Sequence, residues 1–164
     1  MNTSNVRARR RLSAVLVAVA MLVVSGCGTQ PGGDTTPQES RVAFFKVVQS
    51  TAALLSPDGW AEVSPPSWAS CDLGSSEGVK TTWSYARKPL TDHAANAETV
   101  SNYWASMGMD VRTVSEPTVS IYATGGDVYG LAFHTEPGLY VIEGSSQCVP
   151  GDAPELTRQE QEER

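Results

Sequence analysis

The sequence predicts an α+β domain: a two-layer sandwich with an antiparallel-rich sheet of about four to five strands and two helices on one face. Three observations carry this. Two stretches repeat apolar residues at helical spacing, Val42 to Leu55 and Ala97 to Met107. Several shorter stretches alternate with period two between turn residues. A single pair of cysteines, Cys71 and Cys148, brackets most of the strands. Two amphipathic helices beside one sheet each bury their stripe once if both lie on the same face.

The chain opens with Arg7, Arg9, Arg10 and Arg11 and no acid, then runs apolar from Leu12 to Val24. A basic segment, a short apolar segment and small residues before a cleavage point make a secretory leader. A transmembrane helix needs roughly 20 apolar residues, more than this run contains. Residues 1–26 are therefore expected to be removed on export. Val24-Ser25-Gly26-Cys27 resembles the lipobox of bacterial lipoproteins: aliphatic, small, glycine, cysteine. The resemblance implies that Cys27 receives a diacylglycerol on sulfur, becomes the new N-terminus and carries acyl chains such as palmitate. Two acyl chains hold a protein on a bilayer where one does so only marginally. The plainer alternative is ordinary cleavage with Cys27 left free. Residues 27–36, rich in Gly, Pro and Thr, form a flexible tether.

The folded domain is expected over 37–150. Thr36-Pro37-Gln38-Glu39 has the order of an N-cap, an N1 proline and a capping-box glutamate. It starts a helix at Pro37–Leu55 whose face is Val42, Phe45, Val48, Ala52 and Leu55. Ser56-Pro57-Asp58-Gly59 ends it. Gly59 to Cys71, with Trp60, Trp68 and Pro65-Pro66, reads as a loop or short edge strand. Val79 to Arg87 alternates as a strand. Thr91 or Asp92 caps a second helix, His93–Met107, and Gly108 sits at its C′ position. Strands follow at 110–115, 118–124, 128–135 and 139–145, the middle two joined by Gly125-Gly126-Asp127, whose glycines permit positive φ in a hairpin. The stretch 151–164, acidic and nearly without apolar residues, is expected to be disordered or a frayed helix.

Composition narrows function. The whole chain carries a net charge of −6, and removal of the four leader arginines leaves −10. That balance argues against nucleic acid and against electrostatic docking on anionic lipid. In an oxidising compartment Cys71 and Cys148 are most simply a disulfide, two buried free thiols being the alternative. Closing so long a loop stabilises by about 4 kcal/mol in the chain-entropy model. Without Cys-x-x-Cys the pair is structural, not redox-active.

No reaction is named by the residues. The two histidines, His93 and His134, have no ligand partner at metal spacing, so neither a metal nor a cofactor is expected. Nucleophile-elbow, Ser-x-x-Lys and His-Glu-x-x-His motifs are absent. Trp60 and Trp68 are the candidate partner-binding residues; their alternative role is to shield the disulfide or close the end of a small core. Trp68-x-x-Cys71, the succeeding strand, the helix ending near Gly108, the hairpin and the last strand closing on Cys148 resemble the LppA-type lipoproteins of actinobacteria. The likeness runs from about Trp68 to Val149 and rests on element order and cysteine placement. It implies a cell-envelope lipoprotein with no assigned enzymatic activity. The expectation is a non-catalytic binding or interaction module on the outer face of the cell membrane. It would be held by lipid on Cys27, with a protein or small-ligand partner of unknown identity. The alternative is an envelope hydrolase with an unrecognised site near His134.

Overall fold

The structure, a computed structural model, describes residues 35–164. The leader, Cys27 and nearly all of the tether lie outside the described residues. The elements run α1 (Pro37–Leu55), β1 (Trp60–Asp72), β2 (Glu77–Arg87), α2 (His93–Ser106), β3 (Asp110–Val114), β4 (Ser120–Gly125), β5 (Val128–Glu136), β6 (Leu139–Ser146), β7 (Val149–Pro150) and α3 (Ala153–Glu162). The fold is α+β. Its seven-stranded antiparallel sheet has the order β1-β2-β6-β5-β4-β3, with β7 pairing β2. The sheet has more strands than the four to five expected, and a third helix is added. β1 accounts for much of the difference. Where a loop or short edge strand was expected, it is a thirteen-residue edge strand, and it passes Pro65-Pro66 with register shifts between Glu62 and Ser67.

α1 spans the expected residues, and its capping box is complete. The Thr36 hydroxyl accepts from the Glu39 amide, and the Glu39 carboxylate accepts from the Thr36 amide. Those bonds from the backbone and then the hydroxyl of Thr36 hold the Glu39 carboxyl below its ordinary pKa. The buried face differs from expectation. Phe44, Val47, Val48, Thr51 and Ala52 face inward, while Val42 is 65% exposed. Apolar residues at 42, 44, 45, 47 and 48 nearly encircle that turn, so spacing alone selects no face; the sheet selects it. α2 is capped by Asp92, whose side chain accepts from the Ala95 amide, and it buries Ala97, Val100 and Trp104. Gly108, just past its end, has φ +78°, the left-handed conformation that suits glycine.

These stripes meet Ile121, Leu131, Phe133, Tyr140 and Ile142 from the sheet in one core. Trp104, fully buried, donates its indole N–H to Thr51 Oγ1 at 2.9 Å, and Thr51 donates to the Val47 carbonyl at 2.8 Å. The polar groups where α1 crosses α2 are thereby satisfied inside the core. The Cys71–Cys148 disulfide is present, with a sequence separation of 77 and Cα atoms 6.0 Å apart. It ties the end of edge strand β1 to the segment between β6 and β7.

The acidic tail, expected to be disordered or a frayed helix, forms a capped helix. Asp152 accepts from the Glu155 amide as N-cap, and Pro154 occupies the first turn. Ala153 and Leu156 pack on Val79, Val149 and Trp68, and Arg41 of α1 pairs with Glu160. One leucine suffices because a cap, a buried alanine and a distant arginine hold the helix as well. Arg158 adds pairs with Glu155 and Glu162 along the helix surface.

Gly144 of β6 shows how closely the sheet is fitted. A Cβ there would stand 2.3 Å from the Gly130 carbonyl oxygen and 2.8 Å from Leu131 Cδ2. Gly144→Ala is expected to lower stability by about 2 kcal/mol, read as a fall in the urea midpoint at unchanged slope.

Candidate functional site

The helices contribute no residue to the opposite face of the sheet, which curves into an open trough of about 1000 Å³. Cross-strand register explains its shape. One row across the face runs Ser64, Ser84, Glu143, Ala132, Tyr122 and Arg112, from β1 through β2, β6, β5 and β4 to β3. A neighbouring row runs Ser67, Thr82, Ser145 and Gly130. Open sheet faces in water usually carry long polar side chains. Here the middle positions other than Glu143 are Ser, Thr, Ala and Gly, so the floor on either side of that glutamate lies low.

Larger side chains stand around that floor. The Arg112 guanidinium lies over the Tyr122 ring, 4.8 Å from its centroid, and the Lys80 ammonium lies 4.9 Å from that of Tyr129. Asp110 and Glu143 add negative charge. The trough therefore offers hydroxyls, both signs of charge and tyrosine edges. Such a surface can hydrogen-bond and pair charge with a polar ligand. Among the described residues, no group of three His, Cys, Asp or Glu is placed to hold a metal ion.

The expected site residues lie elsewhere. The Trp60 indole donates to the carbonyls of Ala52 and Ser56, both at 3.1 Å, and stacks on Tyr85. The Ala52 carbonyl already accepts from the Ser56 amide, so the indole adds a second bond there and satisfies the Ser56 carbonyl just past the end of α1. Trp68 sits among Val79, Val149 and Leu156, with the Arg41 guanidinium 4.6 Å from its ring centroid. Both indoles are used in internal packing, and neither lines the trough. His93 is a structural contact: its Nδ1 lies 3.3 Å from the Thr135 carbonyl, and its ring meets Tyr140 edge-on.

His134 has closer company than its sequence neighbours indicate. A bulge between Val128 and Gly130 turns Val128 into the core, so His134 shares its face with Gly130 and Ala132 but not with Val128. Its Nδ1 is 3.0 Å from Ser120 Oγ, and its Nε2 is 3.4 Å from Glu143 Oε1. Serine, histidine and carboxylate thus stand in line across β4, β5 and β6. Register brings them together over sequence gaps that no local motif spans, so sequence reasoning found the histidine without its partners.

Chemically the line is incomplete. Ser120 is only 7% exposed, and neither it nor His134 lines the trough. β4 is paired on both sides, so the backbone amides near Ser120 serve the sheet ladders and are not gathered into an oxyanion hole. The geometry accounts for a fixed His134 side chain, which in turn positions Glu143 at the trough. Ser120→Ala is expected to lower stability by about 1 kcal/mol in urea titration. Hydrolysis of a p-nitrophenyl ester is expected to stay at the solvent background with both proteins. Wild-type turnover that vanishes in Ser120→Ala would make Ser120 a nucleophile.

No family model and no curated protein matches the chain. Among solved structures, the chain is similar to a crystal structure of a DUF4853 family protein from Actinomyces odontolyticus ATCC 17982. The two are 14% identical with a TM-score of 0.54, over 75% of this chain and 74% of that one. At that identity the likeness is one of fold.

Proposed function

We propose that the chain is a lipid-anchored, extracytoplasmic binding module that takes a polar ligand in the trough on the open face of its sheet. The observation that carries the binding role is the trough itself. The centre of a solvent-facing sheet is left low by Ser84, Ala132, Gly130 and Ser145, with the Glu143 carboxylate rising between them and other charged and aromatic side chains around them. The anchor rests on the lipobox-like Val24-Ser25-Gly26-Cys27 after its apolar run. Among the described residues no helix is long and apolar enough to cross a membrane, which fits an anchor made of lipid on Cys27. The partner surface expected at Trp60 and Trp68 moves in this proposal to the trough.

The second reading is an envelope hydrolase built on Ser120, His134 and Glu143, favoured by the 3.0 Å serine–imidazole distance. It ranks below binding because the serine hydroxyl is enclosed and has no oxyanion donors beside it.

The two halves of the proposal separate experimentally. Cys27→Ser, expressed with its leader, is expected to leave the membrane fraction on cell fractionation while keeping the Cys71–Cys148 disulfide. Retention in the membrane would show that lipid on Cys27 is not the anchor. For the trough, Gly130 is the place to act, since a Cβ there meets nothing closer than the Ala123 carbonyl at 3.9 Å. Gly130→Trp should fill the floor without disturbing the backbone. Wild-type protein incubated with a polar extract of the cell envelope is expected to hold a small-molecule adduct in native mass spectrometry. Gly130→Trp should lose it. An adduct kept by Gly130→Trp, or none on the wild type, would remove the trough as the site.

A further inference from the structure

β1 and β3 are the two outer strands of the sheet. An unpaired edge presents a row of N–H and C=O groups to any other chain, and proteins blunt such edges with proline, bulges or covering elements. β1 has all three: Pro65-Pro66, register shifts between Glu62 and Ser67, and α3 packed against it. β3 has none. Asp110–Val114 keeps an unbroken register on β4, contains no proline and pairs with no strand on its other side.

The side chains of β3 supply a second, independent observation. Asp110 and Arg112 are both exposed and, two residues apart on a strand, project from the same face. Among the described residues neither takes part in an ion pair, with each other or with anything else. Antiparallel pairing of β3 with its own copy is constrained by these charges. Centred on Arg112, it would set two arginines opposite each other; centred on Asp110, two aspartates. Centred on Val111, each Asp110 lies opposite the other copy's Arg112, and two opposite-charge pairs form from one short strand.

We propose that the free edge of β3 pairs with β3 of a second copy of this chain, antiparallel and in the register centred on Val111. The contact is isologous, so it closes at two copies. In this register only Asp110, Val111 and Arg112 of the two strands face one another, so the ladder is short and the pairing gains most where chains are concentrated on a shared surface. Asp110 and Arg112 also line the trough. Pairing therefore sets two troughs side by side on one continuous sheet, with an Asp110 of one copy beside the Arg112 of the other at their junction.

Cross-linking in the membrane with the full chain tests the register. Across an antiparallel pair, opposed Cβ atoms lie about 4.5–5.5 Å apart, so Val111→Cys should form a disulfide-linked dimer on mild oxidation. Thr113→Cys, whose opposite residue is Met109, should not link to itself, nor should Val63→Cys on the blunted edge. Arg112→Asp is expected to cut the Val111→Cys yield roughly tenfold, and Asp110→Arg combined with Arg112→Asp to restore it. Sedimentation of the same charge variants with Val111 intact reads the equilibrium without any new cysteine: self-association should fall with the single reversal and return with the double. Equal linking at Val111 and Thr113, no linking at Val111, a double reversal that fails to restore dimer, or a wild type monomeric throughout the concentration series would overturn the proposal.

Discussion

One constraint shapes the whole molecule: the sheet is buried on one face only. Phe133, Ile142, Tyr140 and Ile121 on that face require apolar cover, and α1 and α2 provide it with Phe44, Val48, Val100 and Trp104. Because the helices satisfy that requirement from one side, the opposite face is free to be polar and low. The trough is thus a consequence of how the core is closed. The buried link from Trp104 through Thr51 to the Val47 carbonyl lets the two helices cross without stranding an indole N–H in an apolar core.

A sheet covered on one face leaves its outer strands weakly held, and the chain secures β1 by several separate means. The disulfide joins β1 to the segment after β6, shortening the loop that the unfolded chain could otherwise explore. β7 adds two residues beside β2, and α3 rests on β1 with Leu156 while Arg41 reaches Glu160. Trp60 and Trp68 belong to this same task. One completes the C-terminus of α1, and the other seats the small cluster under α3. Indoles at an edge strand are as well suited to holding the edge as to binding a partner, and here they are occupied in doing the first.

Much of the fold was legible in the sequence where a local rule sufficed. The Thr36-Glu39 box fixed where α1 begins, Asp92 and Gly108 marked the two ends of α2, and period-two alternation marked β2 through Val79, Thr81 and Trp83. The pairing of Cys71 with Cys148 followed from their number and from the expectation of an oxidising compartment. What was not legible depended on contacts distant in sequence. α3 needed Arg41, more than a hundred positions away, to become a docked helix. β1 read as a loop or a short edge strand because its prolines mask the length of a strand that pairing with β2 sustains. The face of α1 could not be chosen while apolar residues nearly surrounded it.

The candidate site was illegible for a related reason. A trough made of Ser84, Ala132, Gly130 and Ser145 has no distinguishing residue, since small side chains carry meaning only in rows and rows require register. The same register aligns Ser120, His134 and Glu143 from three strands. It also decides their meaning, for pairing β4 on both sides commits the amides that a nucleophilic serine would need. At β3 the case is reversed. Its outward groups are uncommitted, its two charges are unpaired, and its sequence Asp-Val-Arg is complementary to itself only when read antiparallel. One regular sheet thus lines up Ser120, His134 and Glu143 at its centre and leaves an unpaired strand at one edge, both consequences of register.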